Sequence, residues 1–80
     1  MMYVYTVYDR VAEQAGPLME AINDKVAVRA YKQLIAGQHL EPSEYNLVRL
    51  GMYDRDSMSL NGTEQTVITD MQLLDGDKEE

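Results

Sequence analysis

The chain has 80 residues, seven basic against fourteen acidic side chains for a net charge of −7, and no cysteine. Such a length allows one domain at most, burying about 60% of its unfolded surface, with neither a disulfide framework nor a zinc–thiolate site to stiffen it. The acidic balance argues against tight non-specific nucleic-acid binding by the chain as a whole. The opening Met1-Met2-Tyr3-Val4-Tyr5 lacks a basic leader and gives way to Asp9-Arg10. No signal peptide or membrane span is therefore expected, and the cytoplasm is the expected location.

Residues 2–8 are tyrosine, valine and threonine with one methionine, the residue types that fit a pleated sheet. Tyr3, Tyr5 and Val7 would share one side and Val4, Thr6 and Tyr8 the other. Neither side is strongly polar, which predicts a central strand. Residues 11–15 suit a helical turn, broken by Gly16-Pro17. Residues 18–22 read as a short extended segment at a sheet edge.

The strongest element is residues 23–37, NDKVAVRAYKQLIAG. Asn23 and Asp24 offer N-caps, and Gly37 offers a left-handed C-terminal cap. Ala27, Ala30, Tyr31 and Leu34, flanked by Val26 and Ile35, recur at helical spacing and predict the buried face. Lys25, Arg29 and Lys32 collect on the back. That back is either a solvated face or a contact for phosphate or an acidic partner.

Residues 38–44 read as a loop in which His39, the only histidine, is exposed and plays no catalytic role. Residues 45–53 form the second clear strand, with Val48, Leu50 and Met52 on one face and Tyr45, Arg49 and Tyr53 on the other. Gly51 interrupts it and marks a bulge or a close backbone approach. Asp54-Arg55-Asp56-Ser57 makes a polar turn to a strand at residues 57–60, and Asn61-Gly62 a second tight turn to a strand at residues 65–69. The expected fold is α+β: one amphipathic helix packed on a three- to four-stranded, mainly antiparallel sheet. Residues 1–74 would form a single small domain and residues 75–80 an acidic, disordered tail. From residue 70 onward the net charge is −4, enough for the tail to mask the basic helix face.

The chemistry-bearing motifs are sparse. Asp54-x-Asp56 lacks the glycine and the terminal glutamate of a calcium loop. The five glycines are scattered rather than gathered into a phosphate-cradling loop, and no serine or threonine has a histidine placed by motif. No enzyme, no cofactor and no metal is expected. Tyr3, Tyr5 and Tyr8 on one strand, with Tyr45 and Tyr53 on another beside Arg49, are either core residues or a stacking platform for single-stranded bases.

Three segments carry a resemblance: VYTVYDRVAEQAGPL, INDKVAVRAYKQLI and EPSEYNLVRLGMYDRDSMSL. Tyr8-Asp9, Pro17, Asn23-Asp24, Ala27, Arg29-Ala30, Pro42, Glu44-Tyr45, Leu47, Leu50-Gly51 and Tyr53-Asp54 fall in the order seen in the small nonstructural protein of gokushovirus-like microviruses. The chain resembles that family over about residues 3–60. The resemblance implies a non-virion phage accessory protein described as DNA-binding and linked to single-stranded genome synthesis. The residues expected to contact nucleic acid are Lys25, Arg29, Lys32 and Arg49, with Tyr45 and Tyr53 stacking; of the basic ones, Arg29 alone falls in the family pattern. The alternative is a homo-oligomeric protein-interaction module acting on a phage replication protein or a host protein without touching DNA.

Overall fold

The structure, a computed structural model, describes residues 1–69. Its first strand, β1 (Met2–Asp9), has Val4, Tyr5 and Thr6 buried in succession, so side chains on both of its faces are out of solvent at that point. It lies inside the sheet, as its two-sided apolar pattern predicts. β1 turns back into β2 (Gln14–Ala21), which leads to α1 (Asp24–Gly37), a short 3₁₀ turn at Pro42–Glu44, β3 (Tyr45–Asp54) and β4 (Ser59–Val67). The described strands form one antiparallel sheet in the order β2-β1-β3-β4, with α1 packed against one face.

The edge strand expected at residues 18–22 is β2, but it starts earlier and takes in Gly16-Pro17. Proline is tolerated there because an edge strand has a side that needs no donor. The strand accommodates the pair with a bulge, where Thr6 opposes Leu18 while Tyr8 opposes Ala15. The Thr6 hydroxyl donates to the Gly16 carbonyl at 3.0 Å. Residues 11–13 are not helical; they belong to the hairpin turn.

The two hairpin turns share a signature that spacing alone did not reveal. Tyr8-Asp9-Arg10 and Tyr53-Asp54-Arg55 enter them, and the fifth residue after each tyrosine is left-handed, Glu13 and Met58 both at φ 57°. Asp9 Oδ1 accepts from the N–H groups of Val11 and Ala12 at 3.0 Å, and Asp54 Oδ1 from that of Asp56 at 3.0 Å. Each aspartate satisfies turn donors that a strand would otherwise leave open.

Asn23 caps α1 as expected, its Oδ1 accepting from Val26 N–H at 2.9 Å. The far end differs from expectation. Gly37 is the last helical residue and is not left-handed; His39 is, at φ 56°. His39 N–H donates to the Ala36 carbonyl and Leu40 N–H to the Ile35 carbonyl at 3.0 Å, a Schellman closure that tucks Leu40 against the core. The buried face comprises Ala27, Val28, Tyr31 and Ile35, so it is rotated from the predicted one: Val28 replaces Ala30, and Leu34 is only half-buried.

β3 and β4 depart most from the sequence pattern. Asn61-Gly62 is not a turn. Both residues lie within β4, and the strand expected at residues 65–69 is in part its continuation. The turn tendency appears instead as a bulge, since Gly51 pairs with Gly62 but Arg49 with Thr66, leaving residues 63–65 of β4 opposite Leu50. On its other side Leu50 is also the extra residue against β1, where Val4 opposes Gly51 and Tyr5 opposes Arg49. Gly51 is there because β4 passes close to it: a Cβ at that position would sit 2.3 Å from the Asn61 carbonyl oxygen.

The core gathers Tyr5, Ala21, the buried face of α1, Leu47 and Ile68 between helix and sheet. Ile68 follows β4, held by a 2.7 Å bond from its N–H to the Leu47 carbonyl. The domain limit at residue 74 and the tail at residues 75–80 lie outside the described residues.

Two consequences are measurable by urea unfolding. Gly51→Ala should cost about 2–3 kcal/mol, because the opposing backbone must move, whereas Gly62→Ala, whose added methyl meets nothing within 4 Å, should change stability by no more than about 0.5 kcal/mol. His39→Gly should raise stability by about 1 kcal/mol, since it removes a Cβ from a left-handed position.

Candidate nucleic-acid interface

Packing one face of α1 on the sheet turns Lys25, Arg29 and Lys32 outward, all exposed. With Val26 and Gln33 they line a shallow, open depression on the outer side of the helix. Lys25 and Lys32 are two turns apart, about 10 Å along the axis, with Arg29 between them. The three helix cations expected to act together are thus brought together.

Arg49, Tyr45 and Tyr53 do not join them. Arg49 lies on the helix-covered face of β3, opposite Tyr5, and its Nη1 donates to Asp24 Oδ2 at 2.5 Å. Its guanidinium also sits over the Tyr3 ring, 5.7 Å from the centroid. Tyr45 is half-buried on that face, packed on the core, and its carbonyl accepts from the Tyr31 hydroxyl at 3.2 Å. The extra residue at Leu50 reverses the alternation, so Met52 pairs with Tyr3 and Tyr53 with Met2. Tyr53 therefore points to the opposite side of the sheet from Arg49 and Tyr45. The continuous basic and aromatic platform expected on β3 does not form.

Asp24 is the centre of the polar network that replaces it. Its Oδ1 accepts from the Tyr5 hydroxyl at 2.6 Å while Oδ2 holds Arg49, and its place in the first turn of α1 suits the helix dipole. Burial above all, then the hydrogen bond to Asp24 and its charge, push the Tyr5 phenol well above the usual tyrosine range, with Arg49 pulling weakly the other way. Tyr31 is raised too, by burial and then by Tyr45. Tyr5 is thus a core residue, not part of a stacking surface.

On the other face of the sheet lies a surface the sequence reading did not single out. Two adjoining depressions sharing Leu50 run across it, one past Thr6, Tyr8, Val48 and Val67, the other past Val4, Leu18 and Leu60. The signal was present in the apolar second side of β1. Among the described residues no group of three or more His, Cys, Asp or Glu is placed to hold a metal ion, and no helix is long and apolar enough to cross a membrane.

These features define a small α+β protein with a basic helix back and, on the opposite sheet face, two depressions lined by uncharged residues. The chain belongs to the Phage ORF5 protein family, whose model matches residues 2–74. It is therefore a small bacteriophage protein. No curated protein and no solved structure matches it.

The phenol shifts fix a pH dependence. Unfolded tyrosines ionise near pH 10, while Tyr5 and Tyr31 in the folded chain hold their protons to higher pH. Their contribution to stability is complete below about pH 10 and is lost as pH rises from there through the folded values. Urea midpoints should fall between pH 10 and 11.5, and the fall should be shallower in Tyr5→Phe.

Proposed function

We propose that the protein is a nonstructural accessory protein of a gokushovirus-like microvirus, working in the host cytoplasm. In this reading it binds single-stranded DNA, or the complex that copies it, during genome synthesis, and it acts by binding rather than by catalysis. The observation that carries the reading is the outward stripe of Lys25, Arg29 and Lys32 on a chain whose charge is otherwise acidic. Three cations over about 10 Å of helix suit a short run of phosphates, and such contacts tolerate any base sequence. Arg49 is committed to Asp24, and Tyr45 and Tyr53 lie on opposite faces of the sheet, so phosphate contacts rather than base stacking supply the affinity.

The second reading is an interaction module acting on a phage or host protein without DNA. The net charge of −7 favours it.

Fluorescence anisotropy of a labelled single-stranded oligonucleotide, titrated with the full chain at low and moderate salt, separates the two. Three phosphate contacts predict a slope of log affinity against log salt of about −2. Arg29→Glu should abolish binding, while Arg55→Ala, on the β3–β4 turn and paired with Glu20, should leave it unchanged. Absence of binding at low salt would leave the protein-partner reading in place.

A further inference from the structure

We propose that the open face of the sheet is the docking surface for a second copy of this chain. The inference rests on the sheet alone and is independent of the DNA reading. α1 is the only helix longer than one turn among the described residues, and it lies on the other face, so no described helix or second sheet overlies this side of β2-β1-β3-β4. Its floor is closed by Val4, Thr6 and Val48, which are buried in its middle, and Leu50 and Val67 offer half-exposed apolar surface beside them. Leu18 on β2 and Leu60 on β4 stand up at its two edges, each 64% exposed.

Charge selects the occupant. On a chain of net −7, most approaches of one copy to another are repulsive. Neither depression on this face is lined by a charged residue, and Glu20, which pairs with Val4 at its border, is neutralised by Arg55 at 2.8 Å. Size agrees. Four strands about 4.8 Å apart and about eight residues long give roughly 500 Å² in projection, before side-chain relief. That is the same order as the ~800 Å² per partner of a stable interface.

The two copies meet face to face about a two-fold axis between the sheets, the usual symmetry of soluble homodimers. Leu18 and Leu60 of each copy then enter the adjoining depression of the other, beside Leu50 and Val67. Sheets packed this way lie about 10 Å apart, with the two helices on the outside.

Sedimentation velocity of the full chain between 5 and 100 µM tests this. The wild type should sediment as a dimer. Leu18→Glu and Leu60→Glu, both at exposed positions, should each weaken dimerisation at least tenfold with the circular dichroism spectrum unchanged, because symmetry places each new charge in the interface twice. Val11→Glu, on the β1–β2 turn and 72% exposed, should remain dimeric. A monomeric wild type at 100 µM, or variants at Leu18 and Leu60 as dimeric as the wild type, would overturn the proposal. So would a monomer whose Leu18 and Leu60 methyls show nuclear Overhauser contacts to Met71, Leu73 or Leu74, which would assign the face to the chain's own end.

Discussion

Asp24 holds the helix in one rotational setting, and everything the molecule presents to a partner depends on that setting. One carboxylate oxygen takes the Tyr5 hydroxyl from β1 and the other takes Arg49 from β3, so the first turn of α1 is tied to both central strands. A helix lying on a sheet is free to roll unless something directional stops it, because apolar contact alone is tolerant of small rotations. Here the roll is fixed at one end by charge-assisted hydrogen bonds and at the other by the closure through His39 and Leu40. Lys25, Arg29 and Lys32 face outward as a consequence. Arg49 therefore has a structural task, and its charge is largely consumed in performing it.

The second constraint is one of layers. A four-stranded sheet has two faces, and the described residues supply a single helix of useful length to cover them. Antiparallel sheets tolerate one face in water when that face is polar. This one is not, with Val4, Val48, Leu50 and Val67 along it and Leu18 and Leu60 at its edges. A small chain without disulfides gains more from covering such a face than a larger one would, since its own core is thin.

Local signals were legible in the sequence. The Asn23 cap and the extent of α1 follow from side chains acting on their own backbone, and the two-sided β1 and the interruption at Gly51 stand out in the local pattern, although it is the approach of β4 that requires the glycine. The misreadings have a common cause in longer-range demands. Asn61-Gly62 has the chemistry of a tight turn, but β4 must run on beside β3, so the irregularity is displaced into the bulge at residues 63–65. The extra residue at Leu50 moves Tyr53 to the face opposite Arg49. No periodicity count can reveal such a switch, because alternation assumes an unbroken strand. The pairing of Arg49 with Asp24, 25 positions away, was equally out of reach. In the candidate site, the residues grouped correctly were the three on one helix, where spacing alone decides who is neighbour to whom.

Net charge also proves a poor guide to what a partner would meet. Part of the acidity of the described residues belongs to turns: Asp9 and Asp54 close the two hairpins through their own side chains, and the Glu41 carboxylate accepts from the Ser43 backbone at the 3₁₀ turn. These carboxylates are where they are because turns need short acceptors, and they stand at the ends of the sheet rather than on the helix back. Exposed charges more than about 8 Å apart are largely screened at physiological ionic strength. A ligand lying along α1 therefore feels the three nearby cations more strongly than the acidic total. Part of the acidity of the described residues thus reflects how the turns are built, whereas the basic stripe stands apart from those turns on the helix back.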